Sequence, residues 1–200
     1  MFNSGIYVKK LIDELISEVD IALDIPNATY ISWLNSLQQL LYTEIIKEQK
    51  KTVLYPPFEN NLIPIASIAE SNENTPIFED IHAVFADTTR LKKTTVESGI
   101  IFNNTFFRIT DNAAFNTKKE PEKITIINYV RPALVTEENF ENVNVMLPIE
   151  FIDLARAKLR GEAYKLANED NLATKWLNDY NILLETFKVW IAEKAPNFGL

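Results

Sequence analysis

Apolar residues open the chain at helical spacing. Val8, Leu11, Ile12, Leu15, Ile16 and Val19 fall in an i, i+3, i+4, i+7 series, with Lys9, Lys10, Asp13, Glu14, Ser17 and Glu18 between them. This predicts an amphipathic helix that stops near Leu23, because Asp24-Ile25-Pro26-Asn27 supplies a proline and then a capping residue. A second helix is predicted from Thr29 to Lys51. Its apolar face is Tyr30, Trp33, Leu34, Leu37, Leu40, Leu41 and Ile45, and Ser32, Asn35, Ser36, Gln38, Gln39 and Glu44 take the other. Two helices joined by a short turn make a helical hairpin.

Tyr55-Pro56-Pro57-Phe58 forbids helix, and the pattern changes to short β-rich pieces over residues 61–131. Strands are expected at Leu62 to Ile68, Ile81 to Ala86, Gly99 to Phe102, Thr105 to Thr110 and Ile124 to Val130, in a mostly antiparallel sheet, with Pro64 marking the first piece as an edge. Helix returns at Pro148, a residue preset for a first helical turn, and carries Ile149, Phe151, Ile152, Ala155, Leu159 and Ala163. After an interruption at 168–171, Ala173, Trp176, Leu177, Tyr180, Leu183, Leu184, Phe187, Trp190 and Ile191 alternate by three and four, the strongest periodic signal in the chain and one that predicts a core-facing stripe.

These elements predict an α+β fold in which N- and C-terminal helical hairpins form a bundle with an inserted small antiparallel β subdomain. The expected organisation is a single domain over 1–200, divided into an N-terminal hairpin (4–52), a β-rich insertion (53–147), a C-terminal helical pair (148–194) and a docking tail (195–200).

Composition narrows the function. The 200 residues are 46% hydrophobic and 24% charged, which fits a folded chain rather than a disordered one. A net charge of −8 repels phosphate backbones at long range and argues against a free-standing nucleic-acid binder. The absence of cysteine removes disulfides, thiolate metal sites and thiol nucleophiles. Charge at Lys9, Lys10, Asp13 and Glu14 leaves no signal-peptide core, and no run approaches a membrane span, so no membrane partner is expected.

Candidate chemistry is sparse. The one histidine, His82, has no Gly-x-Ser-x-Gly motif to serve, and the four glycines form neither a Rossmann fingerprint nor a P-loop, so no cofactor is expected. Asp80-Ile81-His82 would put a carboxylate and an imidazole on one side of a strand, as a metal pair needs, but the preferred reading is a solvent-facing or interface strand with two polar residues. The acidic pairs Asp13-Glu14, Glu137-Glu138 and Glu169-Asp170 point apart on a helix and read as solvated faces or helix starts. The lysine doublets at 9–10, 50–51, 92–93 and 118–119 read as surface charge. A scaffold without a reactive centre, not an enzyme, is the expectation.

Three stretches carry a family resemblance: Tyr30-Ile31-Ser32-Trp33-Leu34-Asn35-Ser36-Leu37-Gln38-Gln39-Leu40, Leu54-Tyr55-Pro56-Pro57-Phe58, and the series Ile124-Thr125-Ile126-Ile127-Asn128-Tyr129-Val130-Arg131-Pro132, Leu147-Pro148-Ile149-Glu150-Phe151 and the two helices that follow. In this order the chain resembles the head-tail adaptor (connector, or head-completion) proteins of tailed bacteriophages. The double proline and the long middle region depart from the family pattern. The resemblance implies a virion structural protein, made in the bacterial host cytoplasm and placed at the neck of the particle. It would form a ring, commonly of twelve copies, docked on the portal protein and passing the tail onward, with genomic DNA crossing its lumen without specific binding.

A ring of identical subunits needs two different adhesive faces, and Phe2, Trp190, Pro196, Phe198 and Leu200 are the candidate contacts, with residues 195–200 expected to dock on a neighbour or the portal. The alternative is a small-molecule or peptide-binding module with a pocket between sheet and helices. A third reading, an enzyme using His82 with a nearby carboxylate, has the least sequence support.

Overall fold

In the computed structural model, which describes residues 2–19, 23–57, 62–63, 81–94, 106–109, 113–116 and 121–194, α1 spans Val8–Glu18 and buries Val8, Leu11, Ile12 and Leu15. These are the apolar positions of its i, i+3, i+4, i+7 stripe, and Ile16 is left on the exposed side. α2, Asn27–Leu40, follows Pro26 and buries Tyr30, Ile31, Leu34, Leu37 and Gln38. It does not run on to Lys51. The helix widens into a π turn over Leu41–Ile46, and Lys47, with φ 48° and its N–H on the Tyr42 carbonyl, ends it in the left-handed region. Residues 49–51, expected at the helix end, are instead the start of a strand.

That strand, β1 (Gln49–Leu54), opens a seven-stranded sheet among the described residues with β2 (Leu62–Ile63), β3 (Ile81–Ala86), β4 (Thr89–Thr94), β5 (Phe106–Ile109), β6 (Ala113–Asn116) and β7 (Ile124–Tyr129). The spatial order is β1-β7-β3-β4-β5-β6-β2. All pairs are antiparallel except β4 with β5, where Lys92 sits beside Phe106 and Thr94 beside Arg108. β7 lies between β1 and β3, so Ile126 is flanked by Thr52 and Val84 and its strand is buried at Ile124, Thr125, Ile126 and Asn128. β3 and β4 form a hairpin whose Asp87 adopts φ 54°. The Asp87 carboxylate accepts from the Lys123 N–H at 3.1 Å, and its own N–H donates to the Lys123 carbonyl at 2.9 Å. The expected piece at Gly99 to Phe102, Pro64 and the remainder of Leu62 to Ile68 lie outside the described residues.

The C-terminal half begins with a 3₁₀ turn at Ile149–Phe151, before which Pro148 is still extended at ψ 144°. The α-helix proper, α3, is Ile152–Leu166, and α4 is Asp170–Lys194. Asn168, at φ 60°, turns the chain between them. α3 and α4 pack closely enough that a Cβ on Gly161 would stand 2.7 Å from Leu177 Cδ2. The stripe predicted on α4 is buried only at Ala173, Tyr180, Phe187 and Ile191, while Trp176, Leu177, Leu183, Leu184 and Trp190 are half-buried.

Two compact units result. One is residues 1–47 with 132–200, the helical N- and C-terminal parts, and the other is residues 48–131, the inserted sheet. The fold is α+β. Its divisions fall at 47/48 and 131/132 rather than at 52/53 and 147/148, because β1 begins at Gln49 and because Val135, Val145, Met146 and Leu147 bury themselves in the helical unit. An extended N-terminal strap ties that unit together. The Ser4 N–H donates to Val145 O at 3.1 Å, the Val145 N–H to Ile6 O at 2.8 Å and the Val8 N–H to Val143 O at 2.9 Å. No described helix is long and apolar enough to cross a membrane.

Candidate functional site

A groove of about 470 Å³ opens between α3 and α4 of the helical unit, lined by Asp153, Arg156, Ala157, Arg160, Trp176, Asp179, Ile182 and Leu183. The spacing of 153, 156, 157 and 160 keeps these four on one side of α3, and α4 supplies the opposite wall. α1 borders the same side. Arg156 reaches Glu14 at 2.7 Å and Asp153 at 2.9 Å, and Arg160 pairs with Glu18. Bonds to Asp153 and Glu14 raise the Arg156 pKa above its already high ordinary value, so its charge is permanent. The Arg160 guanidinium lies 4.5 Å from the Trp176 ring centroid, a cation–π stack, and its Nε is buried with no hydrogen-bond partner among the described residues.

Glu14, read as solvated, is therefore a bridging residue. The signal that finds the bridge is matched i, i+4 spacing, acids at 14 and 18 and arginines at 156 and 160, which lets two helices pair rung by rung. Each such half-exposed pair contributes about 1 kcal/mol or less, so the ladder fixes the alignment of α1 on α3 more than it stabilises the fold. Chemically the groove offers flat cationic and aromatic faces beside two carboxylates. None of its lining residues is Ser, His, Lys or Cys.

Of the sequence-predicted contacts, Trp190 is placed inside an intramolecular aromatic cluster. Its ring centroid is 5.3 Å from that of Phe151, 5.8 Å from Phe2 and 6.3 Å from Phe187, and the Lys194 ammonium lies 5.9 Å over it. The ring remains half-buried, so one part packs the N-terminal strap onto α4 and the rest faces outward. Pro196, Phe198 and Leu200 lie outside the described residues. His82 is exposed on β3, and its Nδ1 and the Tyr129 hydroxyl are 3.1 Å apart, while Asp80 lies outside the described residues. Among the described residues no cluster of three or more His, Cys, Asp or Glu is placed to hold a metal ion.

Exposed apolar side chains are a feature that the periodicity did not reveal. On α4, Ile182 is 66% and Val189 59% exposed, and before α3 Leu134 is 69% exposed. No family model matches the chain, and no curated protein matches it.

Proposed function

We propose that this chain is a virion structural protein of a tailed bacteriophage. In this reading it is a ring-forming head-tail adaptor at the neck, made in the bacterial cytoplasm, that docks on the portal, links it to the tail and leaves a channel for DNA. The observation that carries the reading is the exposure of Leu134, in the segment before α3, and Val189, on α4, apolar residues in separate parts of one compact unit's sequence. A closed ring repeats one head-to-tail contact, so each subunit needs two unlike adhesive faces, and large apolar groups left in water are what such faces are made of. The α+β architecture, a helical unit built from both ends of the chain with a sheet unit inserted between them in sequence, supports the family resemblance. The −8 charge suits a lumen through which DNA passes without being gripped.

Light scattering of the chain mixed with its portal ring tests this. A stoichiometric complex of several copies per portal is expected, and Leu134→Glu or Val189→Glu should reduce the bound copies while leaving the helical circular dichroism intact. A chain that ignores portal and tail components at every concentration contradicts it.

The α3–α4 groove favours one other reading, a peptide- or small-molecule-binding module. The groove lies within the helical unit rather than between sheet and helices. A melting temperature raised by a carboxylate-bearing peptide, and no longer raised in Arg160→Ala, would favour that reading over assembly.

A further inference from the structure

The N-terminal half of α4 carries a short pattern that the adaptor reading does not use. Leu172, Lys175, Asp179 and Ile182 follow at intervals of three, four and three, the spacing of a seam along one helix face. Leu172 is 40% and Ile182 66% exposed, Lys175 is exposed, and Asp179 is half-buried on the groove wall. Among the described residues neither Lys175 nor Asp179 forms an ion pair, although they stand one turn apart. The Lys175 ammonium instead lies 5.3 Å over the Trp176 ring.

Read in chain order the seam is apolar, basic, acidic, apolar. Read backwards it is apolar, acidic, basic, apolar. The two readings are complements of each other, which is the requirement for a surface to meet its own copy across a two-fold axis. We propose that this segment of α4 pairs antiparallel with the same segment of a second copy. Leu172 then faces Ile182 of the other chain and Lys175 faces Asp179, each pair occurring twice, with the axis at the level of Leu177. Trp176 of each copy flanks that axis.

Charge selects this arrangement over its neighbours. A parallel alignment sets Lys175 against Lys175 and Asp179 against Asp179, which is repulsive. Sliding the antiparallel pair one heptad toward the C-terminus sets Leu172 against Val189 but buries Asp179 on Ile182, a charge against an apolar group without compensation. The seam is only two heptads long, so the contact falls at the small end of protein interfaces and the dimer is weak and concentration-dependent.

A cyclic ring has no two-fold axis between its neighbours, so this pairing belongs to the chain before assembly and does not rest on the adaptor reading.

Sedimentation equilibrium of the full chain alone, across a concentration series, tests it. The wild type should show a monomer–dimer equilibrium. Lys175→Asp and Asp179→Lys should each raise the dimer Kd about tenfold, because each replaces attraction by repulsion at two symmetric places. A mixture of the two single variants should form a heterodimer about as tight as the wild type, since the charges are then complementary across the seam. Both sites are on the helix surface, and unchanged circular dichroism checks that the variants fold. A wild-type chain that stays monomeric throughout, or a dimer indifferent to both variants and to their mixing, overturns the pairing. Either result leaves the portal experiment unaffected, and failure of the portal experiment leaves this one unaffected.

Discussion

Single side chains decide where the irregular parts of this protein run. Asn35, half-buried on α2, holds the segment after the sheet with both ends of its amide. Its Nδ2 donates to Val135 O at 2.8 Å, and its Oδ1 accepts from the Val135 N–H at 3.0 Å. Asn35→Ala leaves both groups of the buried Val135 backbone unpaired and should cost about 1–3 kcal/mol in urea denaturation. Asn35→Asp should also destabilise, because it keeps the acceptor but sets a carboxylate against a carbonyl. Gln38, fully buried, does similar work with its Oε1 on the Met146 N–H at 2.7 Å. Tyr30 and Tyr180 give the fold an alkaline limit. Burial pushes both phenols above the ordinary 10.0, so the unfolded chain loses these protons first. Stability is therefore full below about pH 10 and falls as the pH rises through 10 toward the shifted values. Replacing both residues by phenylalanine should flatten that decline in denaturant titrations at increasing pH. The sequence marked Tyr30 and Tyr180 as apolar-face positions and placed Tyr30, Asn35 and Gln38 in a stretch carrying the family resemblance, but it did not show what Asn35 holds. Its partner, a hundred positions away in sequence, has no local signal.

Helix–helix packing depends on one glycine. Gly161 lets α3 approach Leu177 of α4, and a methyl group there would stand 2.7 Å and 2.8 Å from Leu177 Cδ2 and Cγ. Gly161→Ala gains about 0.5–1 kcal/mol of helix propensity but incurs about 1–3 kcal/mol of overpacking, so a net loss of about 1 kcal/mol is expected. In a Leu177→Ala background the same change should become neutral or stabilising, which thermal or urea unfolding would show. The periodicity of α1, α2, α3 and α4 was legible because each has an apolar face that recurs by threes and fours. It overstated how much of α4 is core. One neighbouring helix covers only part of a helix's circumference, so Tyr180 and Phe187 are buried while Ile182 and Val189, on the adjacent flank, stay in water. β1 was hidden because Gln49-Lys50-Lys51 reads as the polar end of a helix, and only the left-handed Lys47 cuts it off. β4 was hidden because Leu91 is the lone large apolar residue of Thr89–Thr94, so alternation had nothing to count.

At the scale of the whole molecule the chain is a helical unit interrupted by a sheet unit. Residues 132–147 explain why a boundary placed where the helical pattern returns, at Pro148, falls later than the 131/132 division. They form no regular helix, with turns over 137–142, but Val135, Val145, Met146 and Leu147 are buried in the helical unit, where Val145 bonds the N-terminal strap. The candidate site was legible to a smaller degree than the fold. Trp190 was singled out as a free contact, and much of its ring packs on Phe2, Phe151 and Phe187. The arginine ladder and the exposed flank of α4 emerge only when three helices are placed side by side. In the proposed reading, what remains accessible, a groove of charged and aromatic faces and apolar residues left in water, serves a subunit that works by contact. Imaging the neck of the intact particle tests that claim most directly. The account predicts a ring of this chain between portal and tail, with Leu134 and Val189 covered by neighbouring subunits. A neck built without this chain, or a ring in which both residues face open solvent, would contradict it.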